Sequence, residues 1–460
     1  MTACREPRLS RREVVLGLGT LPIVKAGYFA GNRLPGTQDR QSAGKTPIIR
    51  GKDLGLRPDP RKDQTRALLD ALREAADKRA WLLLDDGDYV IGELEAYLPV
   101  RLAGSQRTRL RLRRGSRFLM AVENAVVSLR QITFSGENGG YDQEPLVHIQ
   151  DCRRLSVKAC RFQSFDGSGL VLHKCRGVIG SNRFHNLTDA AIFSTDGQAL
   201  RITGNTVRTC GNNGILVWQG DKRRDGSIVE NNDIADINNR SGGDGPYGNG
   251  INVYRAGNVI IRRNRIRNCA YSAIRNNSGD RCQILDNNCR DLGEVAIFVE
   301  FAWRQAVVRG NRIRKASAGI SATNMDHGGR GAIIENNVVE DVRPRIRSVD
   351  ILGYGISAEA DTHIRNNVVR QASDCGITIG WGRFLRNVTA SRNRLEDCTY
   401  GIGVSVTAGA GRAVLLYNTI LRARRGAIVG LNHGKPVTGD FLRGTRPPRH
   451  IILRGNVAKG

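Results

Sequence analysis

One short motif keeps returning in this chain: an Asn, any residue, then an apolar residue. It stands at Asn182-Arg-Phe184, Asn205-Thr-Val207, Asn232-Asp-Ile234, Asn264-Arg-Ile266, Asn287-Asn-Cys289, Asn311-Arg-Ile313, Asn337-Val-Val339, Asn367-Val-Val369, Asn393-Arg-Leu395 and Asn418-Thr-Ile420. Cys160-Arg-Phe162 reads as the same site with Cys in place of Asn, and Asn456-Val457 as one more near the end. From Cys160 to Asn418 the intervals run from 22 residues (160 to 182) to 32 (232 to 264). A period in that range points to a solenoid.

A second half follows each Asn motif: a small residue, then a strand-like alternation. Gly214-Ile-Leu-Val, Gly250-Ile-Asn-Val, Ala273-Ile-Arg-Asn, Ala296-Ile-Phe-Val, Gly319-Ile-Ser-Ala, Gly355-Ile-Ser-Ala, Gly376-Ile-Thr-Ile and Gly401-Ile-Gly-Val all fit. Two or three short strands joined by turns fill one coil and leave no room for a helix. The fold class expected is all-β, a right-handed parallel β-helix. Asn at a fixed turn would stack on the Asn of the next coil, amide bonding to amide as in stacked β structures. The long insertions, 232–264 and 337–367, read as loops.

Residues 63–78 carry the one helical pattern, with Ala67, Leu68, Leu72, Ala75 and Ala76 on one face and Asp63 able to cap its start. A solenoid end exposes core, so this α-helix reads as the N-terminal cap. The organisation expected is a signal segment over 1–30, a linker over 31–46, a cap with first strands over 47–124, and repeats over 125–460.

Ser10-Arg-Arg-Glu-Val-Val-Leu16, followed by a modest apolar run to about Ala30, reads as a twin-arginine export signal. Gly17, Gly19, Pro22 and Lys25 make that run a poor permanent membrane anchor. The expected location is periplasmic or secreted, and the expected partner in transit is the twin-arginine export machinery. The formal charge of +27 suits a polyanion as partner. No zinc-finger, helix-turn-helix or RNP-like pattern is present, and export argues against nucleic acid.

Nine of the ten cysteines lie beyond the signal. Cys210, Cys269 and Cys398 each fall five residues after their Asn, where other coils have Leu187, Ile237 or Leu292, and read as core thiols. Pairing of Cys282 with Cys289 stays open. No Cys set has zinc spacing, no Asp cluster suits calcium, and nothing in the chain requires a cofactor.

The helix, the strand after it and the Asp86-Gly-Asp-Tyr89 turn resemble the N-terminal cap of pectin-lyase-like β-helix proteins. The segments 248–258, 293–301, 323–329, 380–386, 424–430 and 437–440, with the signal, resemble the twin-arginine-translocated repetitive proteins of bacteria. That resemblance implies the fold and export. It implies no reaction.

Alternation predicts which side chains leave the core. Ile251 and Val253, Ile297 and Val299, Ile320 and Ala322, and Ile377 and Ile379 should point inward. The residues between and after them should point outward and line up across coils. Trp218, Asn252, Tyr254, Arg275, Asn277, Glu300, Thr323 and Glu359 then form one polar strip with aromatics at its edge, with Trp381 just past it. Flat aromatics suit pyranose faces, and Asn, Arg and Glu suit hydroxyls and carboxylates. An exposed sheet face is polar by default, so polarity alone makes no site.

Three chemistries can be weighed on this strip. Glu300 and Glu359, two coils apart, would lie about 10 Å from each other, at the wide end for an inverting hydrolase pair and too far for a retaining one. Lyase or C5-epimerase chemistry needs a cation for the substrate carboxylate, Arg275, and a base, Tyr254 or His327. Third, the strip only binds. Asn324, Asp326 and His327 sit on a loop at its edge. The functional expectation is an anionic polysaccharide of the cell envelope or exterior, bound and processed, or else a non-catalytic structural or adhesive β-helix.

Overall fold

The fold is seen in a computed structural model, described for residues 46–137, 139–140, 144–243, 245–323, 326, 328–345 and 353–460. The expected signal and nearly all of the expected linker therefore lie outside the described residues, as do Asn324 and His327. Residues 46–460 form one compact unit. Each coil contributes up to three short parallel strands. In a middle coil they are Ile260–Arg262 on face 1, Arg265–Cys269 on face 2 and Ile274–Asn277 on face 3. Face 1 stacks 16 strands from Ile48–Arg50 to Ile451–Arg454. Faces 2 and 3 join where Asn288–Glu300 and Arg312–Thr323 run unbroken round their shared corner. Every named pairing in these stacks is parallel except that of Gly426–Asn432 with Lys435–Asp440.

The Asn motif sits at the corner between faces 1 and 2, and the expected ladder is present. Both the backbone N–H and the Nδ2 of Asn311 donate to Asn337 Oδ1, at 2.9 and 3.0 Å, and Nδ2 also donates to Ile284 O of the coil before. The same set repeats from Asn182 to Asn418, ending on Asn456. Cys160 occupies the Asn position at the head, its N–H donating to Asn182 Oδ1 at 2.9 Å. From Asn182 to Asn418 each ladder amide is buried with its donors satisfied, so hydrogen bonding holds the register at this corner.

The small residue opening each face 3 strand has a steric cause. A Cβ on Gly319 would lie 2.1 Å from Gly355 O of the next coil. The inward residues are those alternation predicts: Ile251, Val253, Ile297, Val299, Ile320, Ala322, Ile377 and Ile379 are all buried. Each Ile or Val among them contributes about 1.5–3 kcal/mol of burial. Three of the few aromatics add a stack within the core, Phe134 on Phe162 at 5.0 Å and Phe162 on Phe184 at 4.8 Å.

The helix spans Thr65–Asp77, and the Thr65 N–H donates to Asp63 Oδ1 at 2.9 Å. Its buried stripe is Leu68, Ala71, Leu72 and Ala75. Ala67, expected inside, is exposed and Ala76 only half-buried, because the stripe i, i+3, i+4, i+7 from Leu68 takes in Ala71 instead. It packs on the strands Trp81–Leu83, Leu94–Ala96 and Val100–Ala103 of the first coils, the sealing position expected of a cap. All nine cysteines outside the signal are free and buried. Cys210 and Cys269 lie in the column of Leu187, Ile237 and Leu292. Cys282 and Cys289 are unpaired, and burial pushes the thiols of both up to about 12.

Candidate functional site

Face 3 carries the strip. Its strands pair in one register over the middle coils, so outward residues form two columns. The column nearer the end of each strand runs Thr195, Trp218, Tyr254, Asn277, Glu300, Thr323. Glu359 continues it: its N–H donates to Ala322 O at 3.1 Å, which sets it beside Thr323. The neighbouring column runs Phe193, Leu216, Asn252, Arg275, Phe298, Ser321, Ser357. Tyr254, Arg275, Glu300 and Glu359, up to 105 residues apart in the chain (254 to 359), thus share one face.

The first coils of the strip are aromatic. Phe193 meets Trp218 edge-on with centroids 5.1 Å apart, and Trp218 meets Tyr254 at 5.5 Å and 59°. The Arg255 guanidinium lies 4.9 Å from the Tyr254 centroid. Trp218 and Tyr254 are half-buried, leaving part of each ring open.

The centre differs from the expected open groove. Arg275 is 7% exposed and Glu300 2%. Arg275 grips Glu300 in a bidentate pair, Nε to Oε1 at 2.6 Å and Nη2 to Oε2 at 2.9 Å. Its Nη1 also donates to Glu294 at 3.4 Å, and its plane lies 4.8 Å from the Phe298 centroid. Asn277 Nδ2 adds a bond to Glu300 Oε1 at 3.3 Å. Burial works to lower the pKa of Arg275, but the charges of Glu300 and Glu294 outweigh it and raise it above the ordinary arginine value. Arg275 is therefore a buried cation already matched by carboxylates rather than an open one. Glu294, which alternation did not single out, completes it.

The cover over this centre is the insertion between Asp233–Ile237 and Asn249–Gly257. Pro246 O accepts from Asn252 Nδ2 at 3.2 Å and from Asn213 Nδ2 at 3.1 Å. A Cβ on Gly245 would stand 3.4 Å from Arg275 Nη2. Gly248 has φ +82° and Tyr271 packed where its Cβ would be, so the turn into the strand requires glycine. Asn252, expected on the open strip, is 3% exposed for this reason.

Among the described residues, three buried polar atoms of the two columns have no hydrogen-bond partner: Trp218 Nε1, Asn252 Oδ1 and Ser321 Oγ. Such orphans are uncommon in folded proteins and call for a reason. Thr323 and Glu359 are half-buried, and Asp326 is exposed. Asp361 is held by Arg386 at 2.7 Å. Trp381 is 38% exposed just past Gly380, whose N–H reaches Ala358 O, but its ring meets His433 edge-on at 5.6 Å rather than any strip residue. The structure thus brings together Trp218, Asn252, Tyr254, Arg275, Asn277, Glu300, Thr323 and Glu359, with Trp381 at the end. Among the described residues, no group of three or more His, Cys, Asp or Glu is placed to hold a metal ion.

Comparisons with known proteins address the scaffold. No curated protein matches the chain. Among solved structures, the N-terminal fragment of bacteriophage phi29 gene product 12 matches with TM-score 0.53 at 14% identity, over 83% of this chain and 68% of that one. The pre-mature form of the same phage protein matches with TM-score 0.50 at 14% identity, over 83% and 54%. A mannuronic-acid-specific family 6 polysaccharide lyase from human gut microbiota matches with TM-score 0.47 at 12% identity, over 90% and 91%. At such identities the phage likeness speaks for the fold alone. The family model of the right-handed β-helix region matches residues 116–234 and 223–386, more than half of the sequence, and the chain belongs to that family.

Proposed function

We propose that this protein binds an anionic polysaccharide of the cell envelope or exterior along face 3. The observation that carries the reading is the in-register column Trp218, Tyr254, Asn277, Glu300, Thr323, edged by Phe193 and containing the orphaned Trp218 Nε1. Half-open aromatics in edge-on and tilted contact, followed along the column by the half-buried Asn277, Thr323 and Glu359, suit a sugar chain lying along the solenoid axis. Export by the twin-arginine pathway, with kinship to the twin-arginine-translocated repetitive proteins, is part of the proposal. It rests on Ser10 to Leu16.

Processing of the bound chain is the further arm. It would use Glu359 as acid or Tyr254 as base, with His327 the other candidate base. Glu300 enters it only as a group already held by Arg275 and Asn277. The rival reading, an adhesive or structural β-helix without turnover, is favoured by that same cluster. Arg275 already faces two carboxylates, so it would have to exchange Glu300 or Glu294 for a substrate carboxylate.

A polysaccharide array with the mature protein separates these readings, scored for retention and for new reducing ends or unsaturated-uronate absorbance. Retention with product, lost in Glu359→Gln while retention persists, supports processing. Retention without product supports the adhesive reading. Absence of retention on every polysaccharide sinks both.

A further inference from the structure

The strip is bounded on one side by the rim where the chain passes from face 3 back to face 1. Successive coils each place one arginine there: Arg281 four residues after Asn277, Arg304 four after Glu300, and Arg330 seven after Thr323. All three are exposed. Their backbones are tied coil to coil. The Arg281 N–H donates to Arg304 O at 2.6 Å, Arg304 and Arg330 are parallel bridge partners, and the Gln305 N–H donates to Arg330 O at 2.8 Å. Their spacing along the axis is the coil repeat, about 4.8 Å.

Like charges directly opposite on adjacent strands repel, so Arg304 beside Arg330 is unfavourable unless an anion shares the site. Much of the arginine elsewhere is matched. Arg201, Arg262 and Arg263 converge on Glu230, Arg208 and Arg267 on Asp233, and Arg309 and Arg365 on Glu335. At the rim the matching has gone to other cations. Asp280 is taken by Lys222 at 2.7 Å, and Asp361 by Arg386 at 2.7 Å. Arg281 has only the neutral Gln305 Oε1, at 2.9 Å. Among the described residues no carboxylate lies within ion-pair distance of Arg281, Arg304 or Arg330.

We infer that Arg281, Arg304 and Arg330 form an anion-binding rail beside the strip, taking successive carboxylates of a linear acidic polysaccharide whose sugar rings lie on Trp218 and Tyr254. The inference rests on the proposed function and sharpens it. The anionic charge is read at the exposed rim, while Arg275 stays bound to Glu300. Arginine suits the task, since its planar fork matches a carboxylate. The aromatic column favours a sugar polymer over other polyanions.

The test uses polygalacturonate and its methyl-esterified form, the same backbone with the charge masked, in affinity electrophoresis with the mature protein. The rail variant is Arg281→Ser/Arg304→Ser/Arg330→Ser. The charge-matched control is Arg290→Ser/Arg312→Ser/Arg314→Ser on face 2, and the strip variant is Trp218→Ala. Unchanged melting curves certify that each is folded. The rail variant should lose about tenfold in affinity for the acidic polymer, three exposed ion pairs together, and most of the salt dependence. The control should lose less than about twofold, as charge remote from the site is screened. Equal losses in rail variant and control would overturn the rail in favour of diffuse charge. So would equal affinity for the esterified polymer, or equal rail-dependent binding of single-stranded DNA. A silent rail variant beside a Trp218→Ala that abolishes binding would overturn the rail and keep the strip. Failure of the wild type to bind either polymer would remove both.

Discussion

Each coil turns at two corners that behave in opposite ways. At the corner between faces 1 and 2, Asn287, Asn311, Asn337 and Asn367 repeat one bonding scheme within 0.1 Å, all buried and all satisfied. At the corner between faces 3 and 1, the bridge column reads Arg304, Arg330, Ala360, Arg386, and the loops leading to it differ in length. Face 3 beside it holds the orphaned Trp218 Nε1, Asn252 Oδ1 and Ser321 Oγ. The ladder corner must match the coil above and below, so it repeats and carries the scaffold. The rim needs only to let the chain return, so it can vary and carry recognition.

The contrast breaks first at the buried pair. Arg275→Ala should cost about 3–5 kcal/mol in denaturant unfolding, because the buried Glu300 carboxylate loses its cation and keeps only the weaker bond from Asn277 Nδ2. Arg275→Met/Glu300→Leu should recover most of that loss. An Arg275→Ala protein as stable as the wild type but unable to bind polysaccharide would make the cluster part of the recognition surface instead.

Next is the ladder. Asn311→Ala removes the acceptor of two Asn287 donors and the donor to Ile284 O. Orphaning them should cost about 2–3 kcal/mol, with sugar retention untouched in the folded fraction. A loss of retention at unchanged stability would erase the division of labour between the corners.

The smallest effect is acid lability. Burial would raise the carboxyls of Glu230 and Asp233, but the arginines around them outweigh it and hold both below their ordinary values. With the folded pKa below the unfolded one, their stabilisation is complete above the unfolded values, about 4.3 for Glu and 3.9 for Asp, and is lost as pH falls through the folded ones. The melting temperature should therefore decline below about pH 4, and less so in Glu230→Gln. An acid profile identical in the two proteins would remove Glu230 from that account.

Much of this was legible in the chain. The ladder shows because one physical requirement, an amide at every coil, recurs with a countable period. The inward and outward sets show because strand alternation has period two, and Cys210 and Cys269 betray their core role by offset from the Asn. What escaped reading depends on loops. That Pro246 and Gly245 cover Asn252 and Arg275, that Glu294 joins Arg275, and that the helix buries Ala71 rather than Ala67 have no periodic signature. Arg281 and Arg304 had one, the shared offset of four after Asn277 and Glu300. It is visible only once the register is known.

The amino-acid order alone determined the coil, its stacking and the membership of the strip, since these follow from repeats short enough to count and from the two-faced strand. The tertiary structure alone decided which members of the strip meet solvent and which charges are matched. Exposure and ion pairing depend on where insertions fold back across coils and on which carboxylate from a neighbouring coil comes within reach, and both are set by packing at distances that no local pattern records.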